Sequence, residues 1–494
     1  MNQTSTPDQV DVIVVGGGNA GFCAALAAAE RGRRVVLLEK SPQLFAGGNS
    51  YYTHGATRIV HDGLDDLAAI LEPDERHAVS VVPTYTAEEY IDDITTLSQG
   101  RNDPERTRVL VTESHDALVW LHSLGMKYEL LYGRQAHFLP DGSIHFWGGL
   151  HVGNVGTGVG MMRDYTAVAQ RLGVEIRYEQ RVTALLRDGD GPVTGVVIEA
   201  PDGSTTQLTA ESVVLAAGGF HASPDLRAEH YGEEWRDVVV RGTPSSTGDL
   251  LVAATAIGAV TEGDFESPHS TMIDADYPEN SSNRELTNTL ARLSYPVGIM
   301  VNSDGHRFVD EGAHFRNYTY SKMGRHVLAQ PGGRAWQLFD NSVRPDLRVD
   351  QYDMPGASVI TADSIEQLAE KAGIDPVGLA ATVAEFNASV DQSHPYDPTV
   401  LDGRRADVEP PKSNWAVGLS HPPYWCYPVT CGITFTYGGL ASDADARVLD
   451  ESGAPIAGLF VAGELMGGLY YGGYPGGTGL AAGQVFGRRA GARA

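Results

Sequence analysis

Apolar and polar positions follow a repeated pattern at both ends of this chain. Val10-Asp11-Val12-Ile13-Val14-Val15 reads as a buried strand. Gly16-Gly17-Gly18-Asn19-Ala20-Gly21 follows, then the small-residue helical segment Phe22 to Ala29. A second apolar run, Arg34-Val35-Val36-Leu37-Leu38, ends in Glu39. Leu118, Leu121 and Leu124 recur at helical spacing and predict a helix from Pro104 to Leu124, with Asp103 as its N-cap. Tyr165 to Leu172 predicts a helix, and Val174 to Tyr178 a strand. Short strands are predicted at Val182–Leu186, Val196–Ile198 and Gln207–Leu208, the last two joined through Asp202-Gly203. Ser212 to Phe220 predicts a buried strand ending in glycines. After about Val240 the pattern becomes irregular, with a hairpin predicted from Ile299–Asn302 through Asp304-Gly305 to Arg307–Val309. Gly458 to Glu464 then returns to the first style, and Pro475-Gly476-Gly477-Thr478-Gly479-Leu480 opens a last small-residue helix.

Strand, glycine turn, helix, strand and acidic residue is the order that a dinucleotide requires. Gly16 permits the turn and Gly18 admits a pyrophosphate. Gly21 lets helix and strand pack closely, and the helix start at Asn19 and Ala20 offers N–H groups to the anion. Glu39, eighteen residues beyond Gly21, is placed for a ribose hydroxyl pair, with Lys40 beside it. NAD and FAD both suit such a unit, and the rest of the chain decides between them. Gly47-Gly48-Asn49-Ser50 follows at once, and Ala217 and Gly218 end another strand. Val182 begins a further strand. Gly463 and Glu464, with Thr478, Gly479 and Leu480, bring a second helix N-terminus. This favours FAD, with that terminus near the pyrimidine end of the ring. The expected fold class is α/β, a Rossmann-like FAD-binding domain of the glutathione-reductase-like kind with an inserted α+β cap domain. Residues 8–240 and 428–494 would form the discontinuous FAD-binding domain, and 241–427 the cap.

At 494 residues the chain is longer than one core usually fills. A formal net charge of −27 argues against nucleic acid or an anionic membrane as partner. Cys23, Cys426 and Cys431 form no C-x-x-C pair, which excludes a four-cysteine iron–sulfur cluster and a C-x-x-C-H haem attachment. No metal site is expected. Residues 1–9 carry no apolar signal core, and no run approaches the ~18 apolar residues of a membrane span. A cytoplasmic protein is expected.

Five stretches carry a family resemblance: Val15 to Ala20; Gly47 to Ser50; Asp310-Glu311-Gly312 with Phe315 to Tyr320; Tyr427-Pro428-Val429 with Gly432 to Tyr437; and Tyr474 to Gly477. Nearly the whole chain resembles the tricarballylate dehydrogenases, within the fumarate reductase/succinate dehydrogenase flavoprotein superfamily. The 3-ketosteroid dehydrogenases are more distant members. The resemblance implies an FAD-dependent CH–CH dehydrogenase or reductase with a cap domain. It would desaturate a C–C bond α,β to a carboxylate or ketone by hydride transfer to flavin N5, or run the reaction in reverse. No histidine aligns with the family's covalent-flavin position, so the FAD is expected to be non-covalent. Electrons would pass to a separate acceptor or to oxygen. A non-catalytic flavoprotein subunit is the rival reading.

Such chemistry needs a hydride acceptor, a base and a group that holds the substrate carbonyl. Arg316 lies just past the Arg307 to Glu311 stretch, where fumarate reductases place a proton-transferring arginine. It binds a substrate carboxylate, moves the proton, or pairs with Glu311. Tyr474 stands where ketosteroid dehydrogenases carry a tyrosine that bonds a substrate carbonyl. Tyr318 and Tyr320 complete the catalytic candidates. Substrate contacts are expected from Tyr51, Tyr52, His54, Arg241, His314, Phe315, Thr436 and Tyr437. Fumarate reductases carry a histidine before the strand that here holds Thr436 and Tyr437, and an arginine near the Tyr474 position. Their dicarboxylate clamp is therefore missing at two positions, which speaks against fumarate or succinate.

Overall fold

The structure is a computed structural model that describes residues 10–277 and 282–494. The polar start, residues 1–9, lies outside the described residues. Strand Val12–Val15 forms the middle of a six-stranded sheet and is buried along its whole length, so both faces of the sheet must be covered. It pairs in parallel with Val35–Leu38 on one side and Ser212–Leu215 on the other, with Val12 opposite both Val35 and Ser212. Glu175–Arg177 and Pro455–Val461 extend the sheet in parallel, and Arg447–Leu449 closes one edge antiparallel. Both ends of the chain thus build one sheet.

The first helix, Asn19–Glu30, and the last, Thr478–Arg493, pack on each other. Small residues set this contact. A side chain at Gly491 would place Cβ 2.0 Å from the Ala24 carbonyl oxygen. The helix Pro104–Ser123 starts where its sequence signal placed it: the Asp103 side chain accepts from the Arg106 N–H at 2.7 Å, and proline occupies the first turn. Arg181–Arg187, Val193–Glu199 and Thr205–Thr209 form an antiparallel three-stranded sheet. The strand expected over Ser212 to Phe220 ends at Leu215, because Gly218 turns the chain at a φ of 74°.

A second sheet is organised by one long strand, Tyr424–Phe435. Val239–Val240, His269–Asp274, Arg334–Phe339 and Ile360–Ala362 all pair with it. The boundary drawn at 427/428 therefore falls inside a continuous strand. The hairpin expected at 299–309 is not a ladder. Ile299–Val301 pairs with Arg334–Phe339 instead, and Arg307 keeps a single bridge to Val301. The Arg307 guanidinium is drawn into a buried ion pair with Glu311 at 2.5 Å and donates to the Pro411 carbonyl at 3.2 Å. No helix among the described residues is long and apolar enough to cross a membrane.

Candidate active site

One cavity runs from the first glycine turn to the second sheet. At one end it is lined by Gly16, Gly18, Asn19 and Ala20, with Glu39 and Lys40. Gly16 adopts a φ of 110°, and a Cβ there would lie 2.3 Å from the Ala216 carbonyl oxygen. Only glycine lets the turn pass so close. Glu39 is buried and accepts from the Gly17 N–H at 2.9 Å and the Ser41 N–H at 2.8 Å. Its remaining lone pairs stay available to a hydroxyl. Lys40 pairs with Asp249 at 2.9 Å. The N-cap of each of the first and last helices is a glycine with no capping side chain, the Ser50 hydroxyl accepts from the Asn19 N–H at 2.9 Å, and the N-terminal residues of both helices line this same cavity. Gly48, Asn49, Ser50, Val182, Ala217, Gly218, Gly463, Glu464, Gly479 and Leu480 continue the wall. Two helix N-termini, a side-chain-free turn and a buried carboxylate match the anion and hydroxyls of a dinucleotide, so the residues fit FAD.

The other end of the cavity is built from separate parts of the chain. Tyr474 and Tyr320 hydroxyls lie 3.2 Å apart. The His269 ring packs at 5.0 Å from Tyr320 and 5.4 Å from Tyr474. Burial, with Arg241 nearby, pushes the His269 pKa down to about 3, and its Nδ1 is buried without a partner. Burial, with Tyr320 and Tyr437 close by, holds the Tyr474 hydroxyl well above its ordinary value. Arg241 donates to Thr434 Oγ1 at 2.9 Å and to Asn288, and its Nε is buried without a partner. Arg316 donates to the Arg134 carbonyl and lies over the Trp147 ring at 5.2 Å. Burial, then Arg348, pull the Arg316 pKa well down. Arg134 pairs with Asp350 at 2.7 Å, and His54 lies 3.6 Å from the same carboxylate. Burial and the surrounding arginines keep His54 neutral at pH 7. Among the described residues no carboxylate lies within ion-pair distance of Arg241, Arg316 or Arg348.

Of the catalytic and substrate candidates, the cavity brings together Arg316, Tyr474, Tyr320, Tyr52, His54 and Arg241. The others stand outside it. Tyr318 donates to Asp93 at 2.8 Å inside a buried cluster with Arg58 and Tyr85. His314 packs edge-on to Tyr318 at 4.4 Å. Phe315 stacks on Trp147 at 4.9 Å and faces a second cavity. Thr436 is tied to Glu464 through its N–H at 2.9 Å, and Tyr437 packs behind Tyr474 at 6.0 Å. Tyr51 lies beneath the Arg284 guanidinium at 3.3 Å. Gly21 sits under the first turn, where a Cβ would meet the Gly16 carbonyl at 1.9 Å. Gly47 makes a left-handed turn at a φ of 110° without lining the cavity, and Thr478 is buried at the start of the last helix. Arg316 is not the partner of Glu311, since Arg307 takes that role. His269, Arg134 and Asn288 were missed by sequence reasoning, because each lies on a different element with no motif around it; Thr434 lies within the Gly432–Tyr437 stretch, where Thr436 and Tyr437 were the expected contacts.

The fold and this two-ended cavity define a Rossmann-like flavoprotein. The family model described as FAD binding domain matches residues 11–480. A probable fumarate reductase of Shewanella frigidimarina is 31% identical over 490 residues, covering 98% of this chain and 74% of that protein. The open conformation of a flavocytochrome c3 fumarate reductase superposes with a TM-score of 0.73 at 28% identity, covering 98% of this chain and 78% of the other. A 3-ketosteroid delta1-dehydrogenase from Sterolibacterium denitrificans shares the fold at a TM-score of 0.74 and 21% identity, over 98% and 99% of the two chains. The chain belongs to the FAD binding domain family, and it is an FAD-dependent oxidoreductase acting on CH–CH groups.

Proposed function

We propose that the enzyme interconverts a saturated acid and its α,β-unsaturated counterpart, with the carboxylate held by Arg241, His269 and Tyr474. One observation carries this reading. Arg241 and Arg316 stand half-buried at the end of the cavity, beside the Tyr320 and Tyr474 hydroxyls, with no carboxylate to pair with among the described residues. A half-buried guanidinium without a counter-ion is costly, and an acid substrate removes that cost where a ketone does not. A tricarballylate-like acid is one candidate.

Non-covalent FAD is the cofactor of this reading, and when bound it supplies the two-electron hydride chemistry. Gly16, Gly18, Asn19, Ala20 and Glu39 would hold it at one end, and Gly479 and Leu480 at the other. Arg241 and Tyr474 orient the carboxylate and stabilise charge that develops on it. Arg316, whose burial and arginine neighbour ease loss of a proton, exchanges the proton at the carbon next to the reacting one. The sheet built from both chain ends acts as the cofactor domain, and the segment from Arg241 through the second sheet, which includes the whole strand Tyr424–Phe435, as the cap over the substrate. Electrons leave to a separate acceptor or to oxygen. The relatives named as fumarate reductases support running the reaction toward the saturated acid.

Replacing Arg241 by glutamine tests the assignment of the carboxylate. The acid's KM should rise on the order of tenfold or more, the effect of losing one charge-assisted bond, with the yellow colour retained. Equal KM values for R241Q and wild type, or a cyclic ketone preferred over every acid tried, would overturn it.

A further inference from the structure

A second cavity, of about 960 Å³, adjoins the first, and the two share His54, Leu131, Arg134, Leu293 and Arg316. Part of its wall is aromatic. Trp147 stacks on Phe315 with ring centroids 4.9 Å apart, and Phe315 packs on Trp415 at 5.5 Å. Arg348 lines the second cavity and is tied to Arg134, a residue of both. Its Nη2 donates to the Arg134 carbonyl at 3.1 Å, the same oxygen that Arg316 uses. Its Nη1 is buried and has no partner, and the whole residue is only 9% exposed. The nearby carboxylate, Asp350, is taken by Arg134 at 2.7 Å. The wall also carries Arg76, Glu129 and Asp346, none of them within hydrogen-bond distance of Arg348, and a guanidinium N–H shut from water with no acceptor is costly unless a ligand brings one.

We propose that this second chamber receives the far end of the substrate, and that the far end carries a second anionic group which Arg348 binds through Nη1. This rests on the reading of the first cavity as an acid site. The substrate is then an elongated diacid. One carboxylate lies on Arg241, a flat or apolar spacer passes Leu131 and Leu293 beside the Trp147–Phe315 wall, and the second carboxylate lies on Arg348. A four-carbon diacid leaves this volume unfilled, whereas a ring carrying a propenoate on one side and a carboxylate on the other would fill it.

Binding to the oxidised holoenzyme separates this proposal from the reaction itself. The probes are cinnamate and 4-carboxycinnamate, titrated by calorimetry without any reductant. Wild type should bind 4-carboxycinnamate at least about tenfold more tightly, the size of one charge-assisted hydrogen bond. Arg348→Gln should abolish the gap while binding cinnamate as before, and Arg348→Lys should retain part of it. Equal affinities in wild type, a gap that survives in R348Q, or a loss of affinity for both acids alike would overturn the subsite. The wild-type comparison decides alone if R348Q fails to load FAD. A gap in binding with no turnover of either acid by the reduced enzyme keeps the subsite and overturns the reading of the reaction. Turnover of both acids without a gap overturns the subsite and leaves the reaction standing.

Discussion

Arg316 is the first residue of the helix Arg316–Leu328, and no side chain caps that helix. A positive charge there opposes the positive end of the helix dipole. Burial adds to the cost, and so does the neighbouring Arg348. A residue that breaks local preference this clearly is expected at a functional site rather than in a scaffold. Arg316→Ala should therefore lower kcat on the order of 10²–10³-fold, as does loss of a group acting on transition-state charge. Tyr474→Phe should lose less, since Tyr320 and His269 remain. FAD content measured by absorbance should be unchanged in both. Full activity in R316A would return the arginine to a packing role. His269 makes a pH prediction. With its pKa near 3 it stays neutral through ordinary assay conditions. The profile of kcat/KM should then show no acid limb at the usual histidine value of about 6.5. A limb there that vanishes in His269→Gln would show that the ring titrates and that its burial is relieved in solution.

At the scale of elements, the glycine contacts between the first and last helices hold the cofactor end together. At Gly491 a side chain would meet the Ala24 carbonyl, and at Gly487 it would meet Ala20 at 2.5 Å. Gly491→Ala forces the helices apart and should cost about 1–3 kcal/mol, as overpacking does. A lower melting temperature and weaker FAD retention are the readouts, and an unchanged melting curve would mean that the contact is not tight. The elements at the two chain ends were legible because their signals are local: apolar runs, glycine turns and the Asp103-Pro104 start. The turn expected within 299–309 forms, with the Asn302 N–H donating to the His306 carbonyl at 3.0 Å, but its pairing stops at Val301–Arg307, since a turn signal does not reveal that Arg307 is drawn to Glu311. Tyr318 and Tyr320 illustrate a second limit. Two residues apart on a helix, they point to different faces, so only one of them reaches the cavity. His269, Arg134 and Arg348 come from a strand, a four-residue helix and a loop edge far apart in sequence. Only the folded chain shows that they converge.

Across the whole molecule, one cavity takes its two ends from different regions. The chain termini supply the glycine turn, Glu39 and two helix N-termini, while Arg241, His269, Asn288 and Arg316 come from the intervening segment. This division explains why FAD binding and substrate choice should vary independently: variants at Arg241, Arg316 or Arg348 change the acid and its rate, whereas the glycine contacts change retention of the yellow cofactor. The most direct measurement is an anaerobic titration of the photoreduced holoenzyme with unsaturated acids, followed by flavin absorbance. The yellow band should return with one equivalent of acid consumed per flavin, and the return should slow by about 100-fold or more in R316A. A preparation that folds without taking up FAD, or a reduced flavin that no unsaturated acid re-oxidises, would contradict the account.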